Sequence, residues 1–232
     1  MKKKLTMLAL IGLASFSSCN NATEEKKPAD STTAITPAKP VFTPFDVSTV
    51  TIKVKNFAVW KTAYMAGDSA RKAYGLTHYV YARSMDDSNV VMIINKVDDI
   101  KKANEFRSTP NLKAAMQKAG VIGAPAVAYA HVIRNDDTKI DEKDRVMVSH
   151  KVKDFAAWLK IYDADSQNRI AGGLIDRGMA RDVADSNLVH LVFAIKDMAK
   201  AKAMMNSPEL KKTMEQGGVQ GPPTFFFYKL VE

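Results

Sequence analysis

A whole domain occurs twice in this chain. Sliding the 232-residue sequence 98 positions along itself superposes residues 50–133 on 148–231 without a gap, and about a third of the paired positions are identical. The register is anchored by Phe57/Phe155, Trp60/Trp158, Tyr64/Tyr162, Arg71/Arg169, Gly75/Gly173, Pro110/Pro208, Gly123/Gly221 and Pro125/Pro223, with Asp87-Ser88-Asn89 matched by Asp185-Ser186-Asn187. A unit of about 85 residues is too long for a solenoid module and is instead a small domain. Alone it would bury only about 60–65% of its unfolded surface, so each copy gains by packing on the other.

What precedes the repeats is an address. Residues 1–19 combine Lys2, Lys3 and Lys4 with an apolar stretch over 5–16 and then Ser17-Ser18-Cys19. The apolar stretch falls short of the roughly 20 residues a spanning helix needs, so it is expected to act as a secretory signal. Cys19 is the only cysteine, and a single thiol cannot staple a secreted fold. The segment resembles a bacterial lipobox, although Phe16 stands where Leu is usual. That resemblance implies lipidation of Cys19, which becomes the membrane anchor. Residues 20–46 are rich in Thr, Ser, Ala, Lys and Glu, with Pro28, Pro37, Pro40 and Pro44, the composition of an extended tether. Asn20 differs from the Asp of an inner-membrane retention signal, which points to the outer membrane of the cell envelope.

The formal charge of +9 includes the three lysines of the signal, and the remaining charges are interspersed. Nucleic-acid binding calls for a basic stripe interleaved with stacking aromatics. No such stripe is present, so nucleic acid is not expected as a partner.

Within a repeat, residues 50–55 alternate apolar and polar, a strand. Phe57, Trp60, Tyr64, Gly67, Arg71 and Tyr74 recur at steps of three and four, which predicts a helix ending at Gly75. Residues 76–84 and 90–96 flank Asp86-Asp87-Ser88-Asn89 as a hairpin, whose polar residues are assigned to the turn. A second helix over 98–120 should break and restart at Ser108-Thr109-Pro110, where a capping hydroxyl precedes Pro at the first helical position. A last strand covers 126–133 and, in the second copy, 224–231. The order βαββαβ therefore occurs twice: domain one over 47–135, a linker over 136–145 and domain two over 146–232. Both alternating faces are apolar in 90–97 and 225–228. A sheet wet on one side would not show this, so one face should lie under the helices and the other should meet the sheet of the second copy.

With this element order, the aromatic and Arg-bearing helix, the acidic hairpin, the Pro-started helix and the Gly-x-Pro strand, the chain resembles the dimeric α/β-barrel superfamily, similar to antibiotic-biosynthesis-monooxygenase domains. The resemblance implies an α+β fold of two tandem ferredoxin-like domains packed sheet to sheet as one intramolecular α/β barrel. It implies a monomer containing its own pseudo-dimer. The superfamily includes cofactor-independent oxygenases, haem-degrading enzymes, isomerases and proteins without known activity. The Asn, Trp and His of the haem-degrading branch find no match here residue by residue, and no cofactor or metal is expected. HExxH, CxxC and Gly-rich phosphate loops are absent from the sequence.

Candidate ligand-binding residues come in twin sets. Arg71 and Arg169 fall on the apolar stripe of the first helix, seven residues after Tyr64 and Tyr162. A guanidinium there needs a partner, since an isolated buried charge is costly. It could grip a carboxylate or phenolate flanked by Trp60 and Tyr64, or by Trp158 and Tyr162; equally, it could snorkel over the core at a helix C-terminus. The histidines are not repeated: His78 is matched by Asp176, while His150 and His190 stand opposite Ile52 and Met92. His150 and His190 lie on neighbouring strands and could converge, with Asp176 as a third group, or stand as ordinary hydrogen-bonded histidines; if one half has a function, the histidine-bearing second copy is the better candidate. The expected function is binding of a small aromatic or amphipathic molecule at the cell envelope. The alternatives are a cofactor-independent monooxygenase or isomerase, and a scaffold for other envelope proteins. Whether the protein is an enzyme stays open at this point.

Overall fold

The computed structural model describes residues 42–231, so Cys19 and most of the expected tether lie outside the described residues. The first copy comprises β1 (Phe45–Val54), α1 (Phe57–Ala66), α2 (Asp68–Ala73), β2 (Leu76–Ser84), β3 (Val90–Val97), α3 (Ile100–Arg107), α4 (Pro110–Lys118) and β4 (Val121–Asn135). The second repeats the order: β5 (Asp144–Val152), α5 (Phe155–Ala164), α6 (Ser166–Ala171), β6 (Leu174–Asp182), β7 (Leu188–Ile195), α7 (Met198–Met205), α8 (Pro208–Gln216) and β8 (Val219–Leu230).

The eight strands close into one barrel in the order β1-β3-β2-β8-β5-β7-β6-β4. Every pairing is antiparallel, and each half contributes four consecutive staves. The halves join edge to edge at two seams, Ala82↔Leu230 to Ser84↔Tyr228 and Ala130↔Asp182 to Asn135↔Gly178. The last strand of each copy is long for this reason. β4 runs for 15 residues, pairing with β1 as far as Val132 and, from Ala130 onward, with β6 of the other half. Closure removes the exposed strand edges that a lone copy would present. It also explains why residues 90–97 are apolar on both faces: one faces the barrel interior and the other lies under the helices.

Local signals account for most boundaries. Thr109 and Ser207 cap α4 and α8, accepting from the N–H groups of Leu112 and Leu210, with Pro at the first helical position. The hairpin turn is held by the Asp87 carboxylate, which accepts from the Asn89 N–H at 2.9 Å, and Asp185 does the same with Asn187. Gly75 and Gly173 end the first helical segment with φ of 71° and 74°. A Cβ at Gly173 would also come within 2.9 Å of Asp197, so both conformation and space demand glycine there.

The expected single helix from Phe57 to Gly75 is instead two. It breaks at Gly67 in the first copy and at Asp165 in the second, so glycine is not the cause. In both copies the arginine reaches back and donates Nη1 to a carbonyl of the preceding helix, Tyr64 at 2.5 Å and Tyr162 at 2.6 Å. This side-chain bond satisfies an acceptor that the helix ladder would otherwise use.

A β-bulge sets which strand residues face the helices. Pairing of β2 with β3 shifts between His78 and Val80, and pairing of β6 with β7 shifts between Asp176 and Gly178. The shift reverses the alternation. Leu76 and His78 face the helices before it, Tyr81 and Arg83 after it, and Arg83 lies over the Phe57 ring at 4.5 Å. Position 78, and its twin 176, is thereby aimed at the tyrosine and arginine of the first helical pair.

Candidate functional site

Each copy places its helices over the outer face of its own four strands, and the space beneath differs sharply between the two. The first copy has a partly open cavity of about 560 Å³, lined by Trp60, Tyr64, Arg71, Ile93, Asn95 and Val127 among others. The corresponding space in the second copy is only about 80 Å³. Paired positions supply the cause. Where the first copy has Ala63, Gly67, Asn95, Ala115 and Val127, the second has Ile161, Asp165, Phe193, Thr213 and Phe225, and all of these line their respective spaces. Phe193 is buried and belongs to the second copy's apolar core cluster. The second half has filled its interior, and the first has left it open.

The aromatic ladder is common to both halves. Trp60 stacks on Tyr64 with centroids 5.1 Å apart, and Trp158 on Tyr162 at 5.0 Å. Each guanidinium covers the far face of its tyrosine at 3.7 Å. Both arginines are buried, 6% and 5% exposed. Their hydrogen bonds then diverge. Arg169 grips Asp176 with both Nε and Nη2, at 3.0 and 2.8 Å. In the first copy that carboxylate is replaced by His78, and Arg71 Nε has no partner. Its remaining carboxylate contact is Nη2 to Asp68 at 3.4 Å, and Asp68 is held more closely by Lys72 at 2.8 Å.

His78 instead joins a polar chain with Tyr64 and Asn95, the two members that line the cavity. Tyr64 donates its hydroxyl to Asn95 Oδ1 at 2.9 Å, and His78 Nδ1 lies 3.0 Å from the same hydroxyl. With the tyrosine proton directed to Asn95, the histidine bond is donated by Nδ1–H. Burial pushes the Tyr64 hydroxyl up to about 12 despite the opposing pull of Arg71. Burial and the nearby Arg71 charge both lower His78. At neutral pH the chain therefore holds a protonated phenol and a neutral imidazole. At the far side of the cavity Arg107 and Tyr129 both donate to Asn104 Oδ1, each at 3.0 Å. Their twins Met205, Lys202 and Phe227 form no such set.

The two second-copy histidines do not converge. Ser149 and His190 are cross-strand partners, and His150 is paired with Val189, so consecutive residues send the two rings to opposite faces of the sheet. His150 lies under the helices against Trp158, at 5.4 Å between ring centroids. Burial lowers it to about 4, with neighbouring His190 acting in the same direction, and both ring nitrogens lack partners. His190 points into the barrel, where Ser149 Oγ is 2.8 Å from Nδ1 and Asp182 is 3.8 Å from Nε2. It borders an interior cavity of about 260 Å³. Asp176 belongs to Arg169 and joins neither histidine. Among the described residues, no three His, Cys, Asp or Glu side chains are placed to hold a metal ion.

Asn95, Asn104 and Arg107 are the cavity residues that motif reasoning missed, and His78 stands behind them on Tyr64. A signal for them was present: each is a position at which the two copies differ in size or polarity.

No family model matches the chain, and no curated protein does. Solved structures do. A provisionally named monooxygenase from Fusobacterium nucleatum superposes with a TM-score of 0.52 and 14% identity, covering 82% of this chain and 93% of its own. An anthrone oxidase-like protein gives a TM-score of 0.54 at 11% identity, with 81% and 92% covered. A provisionally named chlorite dismutase gives 0.50 at 12%, with 81% and 95% covered. Each match is longer than one copy can supply and therefore spans both. By fold, the chain is a tandem-duplicated ferredoxin-like protein whose two copies close a single α/β barrel of the kind found in monooxygenase-like proteins.

Proposed function

We propose that the protein is a lipid-anchored, monomeric component of the cell envelope that binds a small, flat, largely apolar molecule in the cavity of its first copy. The second copy serves as the filled structural half. The carrying observation is the contrast between about 560 Å³ and about 80 Å³ beneath the same aromatic ladder. Apolar walls with a few convergent polar groups are the usual character of small-molecule sites. In this reading Trp60 and Tyr64 contact the ligand, while Trp158, Tyr162 and Arg169 hold the fold. His150 and His190 serve structure rather than ligand binding. The anchor rests on the lipobox resemblance at Cys19.

Native mass spectrometry of protein taken from its host membrane tests this reading, with Asn95→Phe as the comparison. The variant installs the second copy's residue and narrows the cavity beside Trp60 and Tyr64. The wild type should carry a bound molecule that the folded variant lacks. Equal loading of both would place the ligand elsewhere and overturn the assignment.

A second reading, cofactor-independent oxygenation of such a molecule, is supported by the Tyr64–His78–Asn95 chain. Proton receipt through the phenol uses the other tautomer, in which the Tyr64 hydroxyl turns from Asn95 and donates to an unprotonated Nδ1 of the neutral imidazole. Oxygen uptake with electron-rich phenols, abolished by His78→Phe, would support it.

A further inference from the structure

The electrostatics of the open cavity narrow its ligand class, an inference that rests on the first-copy cavity being a binding site. In the second copy two carboxylates attend the buried arginine: Asp176 grips it bidentately, and the Asp165 charge lies close by. The first copy has replaced both, with His78 and Gly67. Arg71 keeps its charge, its burial and its place over the tyrosine ring, but its Nε donor has lost its acceptor. No Asp or Glu lines the cavity, whereas a second guanidinium, Arg107, does. Asp68 gives Nη2 one long contact at 3.4 Å from the half-exposed surface and leaves Nε unmet; a buried donor without an acceptor is costly, and a guanidinium fork matches an anionic oxygen pair.

We propose that the first-copy cavity selects an organic anion, with an aromatic or amphipathic body against Trp60 and a carboxylate or phenolate at Arg71 in place of the lost acidic partners. The chain supplies that carboxylate itself in one half and takes it from the ligand in the other.

Calorimetric titration of the full chain with 2-naphthoate and with its neutral isostere 2-naphthamide tests this. The anion should bind at least tenfold more tightly than the amide. His78→Asp restores the acidic partner and should erase that preference. This variant adds an ion pair rather than removing one, so it is expected to fold. Arg71→Met should also erase the preference. Equal affinities in the wild type, or an undiminished preference in His78→Asp, would overturn the anion assignment while the cavity reading stands. Binding of neither probe would overturn both.

Discussion

His150 makes the stability of this protein sensitive to mild acid by an amount the structure specifies. Its ring is 6% exposed, neither nitrogen has a partner, and burial lowers its folded pKa to about 4. The unfolded chain should titrate it near 6.5. The unfolded state therefore binds the proton first. Stability is full above pH ~6.5, falls as the pH drops and reaches its full loss below pH ~4. A gap of about 2.5 units corresponds to about 3 kcal/mol, of which about 2 kcal/mol is lost by pH 5. The first copy shows what replaces the residue without strain, since Ile52 occupies the same place at 5% exposure. His150→Ile should be more stable than the wild type at pH 7.5, because it removes unpartnered polar atoms worth about 1–3 kcal/mol. Urea unfolding at pH 7.5 and pH 5.0 is the assay. The wild type should lose about 2 kcal/mol more than the variant between the two conditions. The other histidines are common to both proteins and largely cancel. Parallel loss in the two would refute the assignment of this acid sensitivity to a buried neutral His150.

The twin arginines should respond unequally to removal. Arg169→Met breaks a bidentate pair whose arginine is buried but whose Asp176 carboxylate is half exposed, so it should cost only about 1 kcal/mol more than Arg71→Met, as urea unfolding would show. Gly173→Ala forces a Cβ against Asp197 at a positive φ and should lower stability by roughly 1–2 kcal/mol or more. Cys19→Ser should move the protein from the membrane fraction to the soluble fraction on cell fractionation; continued sedimentation with membranes would count against the lipid anchor.

Much of the fold was legible because both copies repeat the same local grammar. Cap, proline, hairpin and glycine positions agree across the register, so each element was read twice. The barrel seams were not legible. They are main-chain bonds between Ala82–Ser84 and the end of β8, and between the end of β4 and β6, and backbone pairing leaves little trace in side chains. The helix breaks at Gly67 and Asp165 were hidden as well, since the two positions share no breaking residue. At the candidate site, the shared residues pointed to Trp60, Tyr64 and Arg71 but could not distinguish the halves. His150 and His190 are the conspicuous chemical differences, yet they lie on opposite faces of the sheet. The informative differences were plainer: Ala63, Gly67, Asn95 and Val127 against Ile161, Asp165, Phe193 and Phe225. Small residues beneath a helix leave room, and large ones remove it, but only the packed fold shows that these positions share one wall.

The most direct measurement is anomalous diffraction from crystals soaked with 6-bromo-2-naphthoate. A single bromine peak should lie beneath α1 and α4 beside Trp60, with the carboxylate toward Arg71 and no peak under the helices of the second copy. Bromine beside Trp158, in the barrel interior alone, or nowhere in the protein would contradict a molecule that keeps one half open and the other filled.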